Sequence, residues 1–159
     1  MLPWLEIAFK FIGLKETKGN QHTPEILQFW KEIKRSGIKD DETPWCAAFV
    51  GAVLERVGIK SSRFESAASY LKWGTKLSSP VTGCIVVFTR EGGGHVGFVT
   101  GKDAAGNLLV LGGNQSDAVN IRAFPIKRVS GYRWPTGIAI PKDSVLPVVP
   151  TAELSNKES

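Results

Sequence analysis

The sequence predicts an α+β fold in which N-terminal helices pack on a small antiparallel β-sheet. Two patterns predict it: apolar residues recur at helical spacing through the first half, and short β-branched runs separated by glycine turns fill the second. A third observation sets the scale. The chain has 159 residues, of which 42% are hydrophobic and 22% charged, enough for one core without disulfide support. We expect a single domain over residues 1–141 and a flexible C-terminal tail over 142–159, where prolines give way to a polar end and Val145-Leu146 and Val148-Val149 are apolar pairs able to lie against the body.

Each element has its own signal. Pro3 suits a first helical position, and Ile7, Ala8, Phe9, Phe11 and Ile12, interrupted by Lys10, make the following stretch amphipathic. Thr23-Pro24 reads as a cap and first turn, leading into Ile26, Leu27, Trp30 and Ile33, with Gly37 as the stop. Thr43-Pro44 repeats that opening for a third helix, whose Cys46, Phe49, Val50, Val53 and Val57 form one stripe before Gly58. A shorter helix is expected over 67–73, stopped by Gly74. Strands are expected over 84–88, 95–100, 108–111, 119–124 and 129–134, with turns at Gly92-Gly93-Gly94, Asp103 to Gly106 and Gly112-Gly113.

Composition narrows the function classes. Twenty Lys and Arg against 15 Asp and Glu give +5, spread along the chain, which favours polyanions without choosing among them. No basic-aromatic stacking motif or recognition-helix pattern points to nucleic acid. No apolar run approaches the ~18 residues that span a bilayer, so no stable membrane insertion is expected. The N-terminus lacks a basic region and a small-residue cleavage site, so we expect synthesis in the cytoplasm without a signal peptide.

Cys46 lies three residues after Thr43. If Thr43 caps the helix, the sulfur sits in its first turn, where backbone N–H groups and the helix dipole favour a thiolate. A buried core cysteine is the competing reading, because the neighbours on its stripe are apolar. A thiol nucleophile needs an imidazole, and the chain offers His22, in a polar loop, and His95, opening a strand after a glycine run. Hairpin arithmetic supplies an orienting group. A four-residue loop at Asp103 to Gly106 makes paired numbers sum to 209, which sets His95 opposite Asn114 and Gly97 opposite Gly112 on a floor without side chains. A two-residue loop would put Ser116 opposite His95 instead, so Gln115, Ser116 and Asp117 stay as alternatives. A metal set from Cys46, Cys84, His22 and His95 lacks ligand spacing, and a Cys46–Cys84 disulfide does not suit a cytosolic origin. No metal and no cofactor is expected.

Four blocks carry a resemblance: Asp41-Glu42-Thr43-Pro44-Trp45-Cys46-Ala47-Ala48-Phe49-Val50, Gly83-Cys84-Ile85-Val86-Val87-Phe88, Gly94-His95-Val96-Gly97-Phe98-Val99 and Gly113-Asn114-Gln115-Ser116. In order and local sequence they resemble CHAP-type peptidoglycan hydrolases of the NlpC-type, papain-like superfamily, in the small form found among phage endolysins and lytic or effector proteins. The blocks cover about residues 40 to 120. The chain departs from many such sequences at Gly113, where an acidic residue is common, and at Cys84, where an aspartate is common.

The resemblance implies a papain-like α+β fold with Cys46 as nucleophile, His95 as general base and acid, and Asn114 as the residue orienting His95. It implies cleavage of an amide in the peptide part of peptidoglycan, either the N-acetylmuramoyl-L-alanine amide or a bond within the stem or cross-link. Glu16 is expected to face the cleft, as in similar small lysins. Trp45, Tyr70 and Trp73, with Trp134, are candidate groove walls, and Gln115 a further substrate contact. The expected partners are peptidoglycan as substrate and a separate membrane-permeabilising release protein, the chain itself being a monomer that acts on the wall after release. An antibacterial effector of the same chemistry and a non-catalytic wall-binding pseudoenzyme are the alternatives.

Overall fold

Among the described residues proline begins two of the three α-helices, because its fixed φ suits a first turn and its missing N–H is not needed there. The computed structural model describes residues 2–17, 23–38, 44–90 and 93–149. Helix α1 spans Pro3–Lys10 and α2 spans Pro24–Glu32. Helix α3, Cys46–Arg56, starts later than the sequence pattern predicts: Trp45 occupies the N-cap, and Thr43 lies outside the described residues. Every residue of α3 from Cys46 to Leu54 is buried. It is a central helix covered on all sides, where the pattern suggested a single stripe.

Six strands form one antiparallel sheet in the order β1-β6-β2-β3-β4-β5. They are β1 Thr75–Leu77, β2 Ile85–Arg90, β3 Gly93–Lys102, β4 Leu108–Gly112, β5 Asn120–Phe124 and β6 Val129–Trp134. The three-residue β1, which pairs with β6, has no pattern long enough to predict it. The expected helix over 67–73 is a 3-10 helix, Ala67–Lys72, whose Ser66 cap accepts the Ser69 N–H at 3.2 Å.

One face of the sheet is closed by α3. Phe49 meets Phe98 of β3 edge-on at 6.5 Å between ring centroids, and Phe11 and Phe29 pack against Phe49 at 6.1 and 5.7 Å. Truncating such a buried ring costs about 3–5 kcal/mol. The stretch after Pro141 is tied to the body: Ser144 O accepts from Thr82, Pro147 O from the Lys102 N–H, and the Val149 N–H donates to Lys102 O. Residues 142–149, placed by the sequence in a flexible tail, therefore run along the β3 end. Residues 150–159 lie outside the described part.

Candidate active site

Strand alternation decides where His95 points. His95 shares a sheet face with Phe88, its partner on β2, with no bulge between the two strands. There its cross-strand partner Phe88 stacks on it at 6.3 Å and 20°, and Phe124 of β5 at 5.4 Å and 18°. These two rings set the plane of the imidazole, which is 8% exposed.

A carboxamide fixes its tautomer. His95 Nε2 is 2.8 Å from Gln115 Oε1. The Gln115 NH2 group donates to Val110 O at 3.2 Å and to Asn120 O and Oδ1, both at 2.9 Å. Turned over, the amide would set its oxygen against three other oxygens. The oxygen must therefore face His95, Nε2 must carry the proton, and in the neutral ring Nδ1 holds the lone pair.

Backbone geometry explains why Gln115, and not Asn114, reaches the ring. Phe98 pairs with Leu111 and Val99 with Val110, the register that sums to 209, but a bulge between Val99 and Gly101 shifts the pairs nearer the turn by one. Continued past Gly112, that register would set Asn114 opposite His95. The strand has ended by then. Asn114, Ser116 and Asp117 all take left-handed φ values, 59, 54 and 62°, and the chain coils so that Gln115 folds back over Gly112. A Cβ on Gly112 would lie 2.5 Å from Gln115 Oε1 and 3.2 Å from His95 Nε2. The predicted glycine floor is thus covered by the carboxamide, with Val110 filling the space at Gly97, and not by a helix. The coil is pinned from both sides: Asn120 Nδ2 donates to Gln115 O, and the N-terminal segment pairs with its far arm through Glu16 N to Asp117 O and Val119 N to Leu14 O.

Helix α3 begins at the same end of the sheet. Gly113 adjoins its first turn so closely that a Cβ there would sit 2.7 Å from both the Trp45 ring and Phe49 Cβ. Two consecutive glycines therefore let this segment pass close to His95 and its carboxamide at Gly112 and close to the head of α3 at Gly113. Cys46 is the first residue of α3 and 5% exposed. Trp45 offers no side-chain cap and the first turn holds no acidic residue, so nothing within the helix offsets its positive end.

The other predicted residues divide. Glu16 does reach this region, accepting the Trp45 indole N–H at 2.9 Å. Trp45 is itself fully buried, so the pair braces the head of α3 and Trp45 is not a groove wall. Tyr70 and Trp134 are likewise core, 1% and 2% exposed. Trp73 is half-buried and donates to Lys60 O, in a different pocket with Gly58, Ile59 and Thr136. Gln115 is buried as a support for His95, while Asn114 is half-exposed and lines the cavity beside it. His22, considered for the base, lies outside the described residues.

That cavity, about 290 Å³, is also lined by Arg122, Phe124 and Arg128, which the sequence reading missed. The signal was available: Val110 pairs with Arg122 and Leu108 with Phe124, so alternation places both on the His95 face. Neither cysteine forms a disulfide. Cys84 is wholly buried, and burial pushes its thiol up to about 12 despite backbone hydrogen bonds that pull the other way.

Residues 38–114 match the family model of the CHAP domain. The matched stretch holds α3, β1 to β4 and His95, and stops one residue before Gln115. A search of curated proteins found no match for the chain.

Proposed function

We propose, for this member of the CHAP domain family, whose class is peptidoglycan hydrolysis, that Cys46 and His95 cleave an amide of the wall peptide by acyl transfer, with Gln115 orienting His95. The observation that carries the reading is the fixed tautomer: an imidazole with its lone pair on Nδ1, at the end of the sheet where α3 begins. In this scheme the Cys46 thiol gives its proton to Nδ1 and the sulfur attacks the carbonyl carbon. The imidazolium then protonates the leaving amine as the C–N bond breaks. Water, deprotonated by Nδ1, attacks the thioester, releasing the carboxylic acid and restoring the thiol. Backbone N–H groups in the first turn of α3 are the donors for the tetrahedral oxyanion, and each such donor is worth about 3 kcal/mol.

The test is a digest of purified peptidoglycan by reduced protein, read by mass spectrometry. New amino termini or free glycan chains are expected, and their identity distinguishes a muramoyl-alanine amidase from an endopeptidase. An unchanged digest would end the reading. The biological setting we propose is a phage endolysin that reaches the wall through a separate membrane-permeabilising protein. Co-expression should lyse cells only when both are present, and lysis by this chain alone would count against that route.

A further inference from the structure

The cavity beside His95 has a positively charged wall that the acyl-transfer scheme leaves unused. Arg128 ends the short 3-10 helix Ile126–Arg128 between β5 and β6. Its guanidinium lies over the Phe88 and Phe124 rings at 5.9 and 5.6 Å, the same two rings that stack on His95. Arg122, on the His95 face of β5, lines the same cavity. Among the described residues no carboxylate forms a salt bridge with Arg128.

The planar guanidinium carries its N–H donors along its edge, and a contact with aromatic rings through its charge does not use them. That edge matches a carboxylate, which accepts two parallel hydrogen bonds, better than it matches a neutral amide with one acceptor oxygen. The stacked rings hold the fork at a set position relative to the imidazole, and partial burial strengthens its attraction for an anion.

We propose that Arg128 binds a carboxylate of the peptide substrate beside the scissile amide, so that the protein selects stem peptides with free carboxylates over amidated ones. This rests on the peptidoglycan reading above and adds a specificity-determining residue to it. Arg128 takes no part in proton transfer, so its loss falls on KM and leaves kcat on an amidated substrate close to that of the parent.

The experiment is calorimetric titration of the full-length Cys46→Ala protein with a disaccharide-tetrapeptide muropeptide, once with its stem carboxylates free and once with them converted to carboxamides. The free form should bind roughly tenfold tighter or more, an advantage that shrinks as salt is raised. Adding Arg128→Gln should remove the advantage while leaving affinity for the amidated form unchanged, and Arg128→Lys should restore part of it. Equal affinity for the two forms, equal weakening of both by Arg128→Gln, or binding of neither would overturn the proposal. Cleavage is read separately: discrimination by the Cys46→Ala protein alongside an inactive parent would remove the catalytic reading and leave the carboxylate site standing.

Discussion

Cys46 and Cys84 carry the same side chain, both shielded from water, in regions that ask opposite things of it. Cys84 leads into β2 at a turn closed by its own N–H to Val81 O, with Val99 donating to its carbonyl, and it is 0% exposed. Burial there opposes a charge on sulfur and holds the thiol up at about 12. Cys46 is scarcely more open, at 5%, but it begins a helix that has no acidic residue in its first turn. Solvent exposure alone would not tell the two apart. The helix end does, because aligned backbone dipoles and N–H groups offer a negative sulfur what a strand lead-in cannot.

The largest effect that would break this comparison is chemical. Cys46→Ala should lower peptidoglycan cleavage by at least ~10³-fold with the fold intact, while Cys84→Ala should cleave as the parent does. Alkylation of native protein should likewise label Cys46 at neutral pH and reach Cys84 only after unfolding, as peptide mapping would report. Equal labelling of the two would erase the distinction.

The support of the base comes next. Gln115→Leu removes the acceptor that fixes the His95 tautomer and should lower kcat on the order of 10²-fold, whereas Asn114→Ala, which leaves that hydrogen bond in place, should cost far less. The reverse ranking would return the orienting role to Asn114. Gly113→Ala tests the contact at the head of α3: with a Cβ 2.7 Å from Trp45 and Phe49, it should destabilise the protein by about 1–3 kcal/mol in chemical denaturation. For Cys84→Ala the cavity term is small, about 1 kcal/mol, which sharpens its description as a packing residue.

The smallest effect concerns the other end of α3. Burial would raise the Glu55 carboxyl, but hydrogen bonds from Arg63 and from the Ser61 backbone and hydroxyl outweigh it and hold the pKa down to about 2. Because the folded value lies below the unfolded one, ordinarily near 4.5, this contribution is full above pH 4.5 and fades as pH falls toward 2. Glu55→Gln should flatten the stability curve in that window while leaving cleavage at neutral pH unchanged. A parallel downward shift at every pH would mean that packing, and not charge, is what Glu55 supplies.

Local chemistry carried much of this structure in readable form. Proline and glycine punctuation marks α1, α2 and the end of α3 because those residues act through their own φ. Alternation and β-branching mark five of the six strands. Cys46 and His95 stand out because each is a reactive side chain at the start of an element. The missed features share a different cause. The bulge at Thr100, the three left-handed residues after Gly113 and the three-residue β1 are local departures that become favourable only when distant segments supply partners.

By itself, the sequence determined the fold class, the positions of the helices and most strands, and which two residues are candidates for nucleophile and base, since all of these follow from short-range backbone preferences and side-chain type. Only the tertiary structure decided that Gln115 and not Asn114 holds the imidazole, that Trp45 and Tyr70 are core and not groove, and that Arg122 and Arg128 stand beside His95. The first of those outcomes depends on where a coiled loop, pinned by Asn120 and by the segment after α1, turns its side chains. The contacts to the segment after α1 join residues more than 100 apart in the chain, and no local periodicity records them.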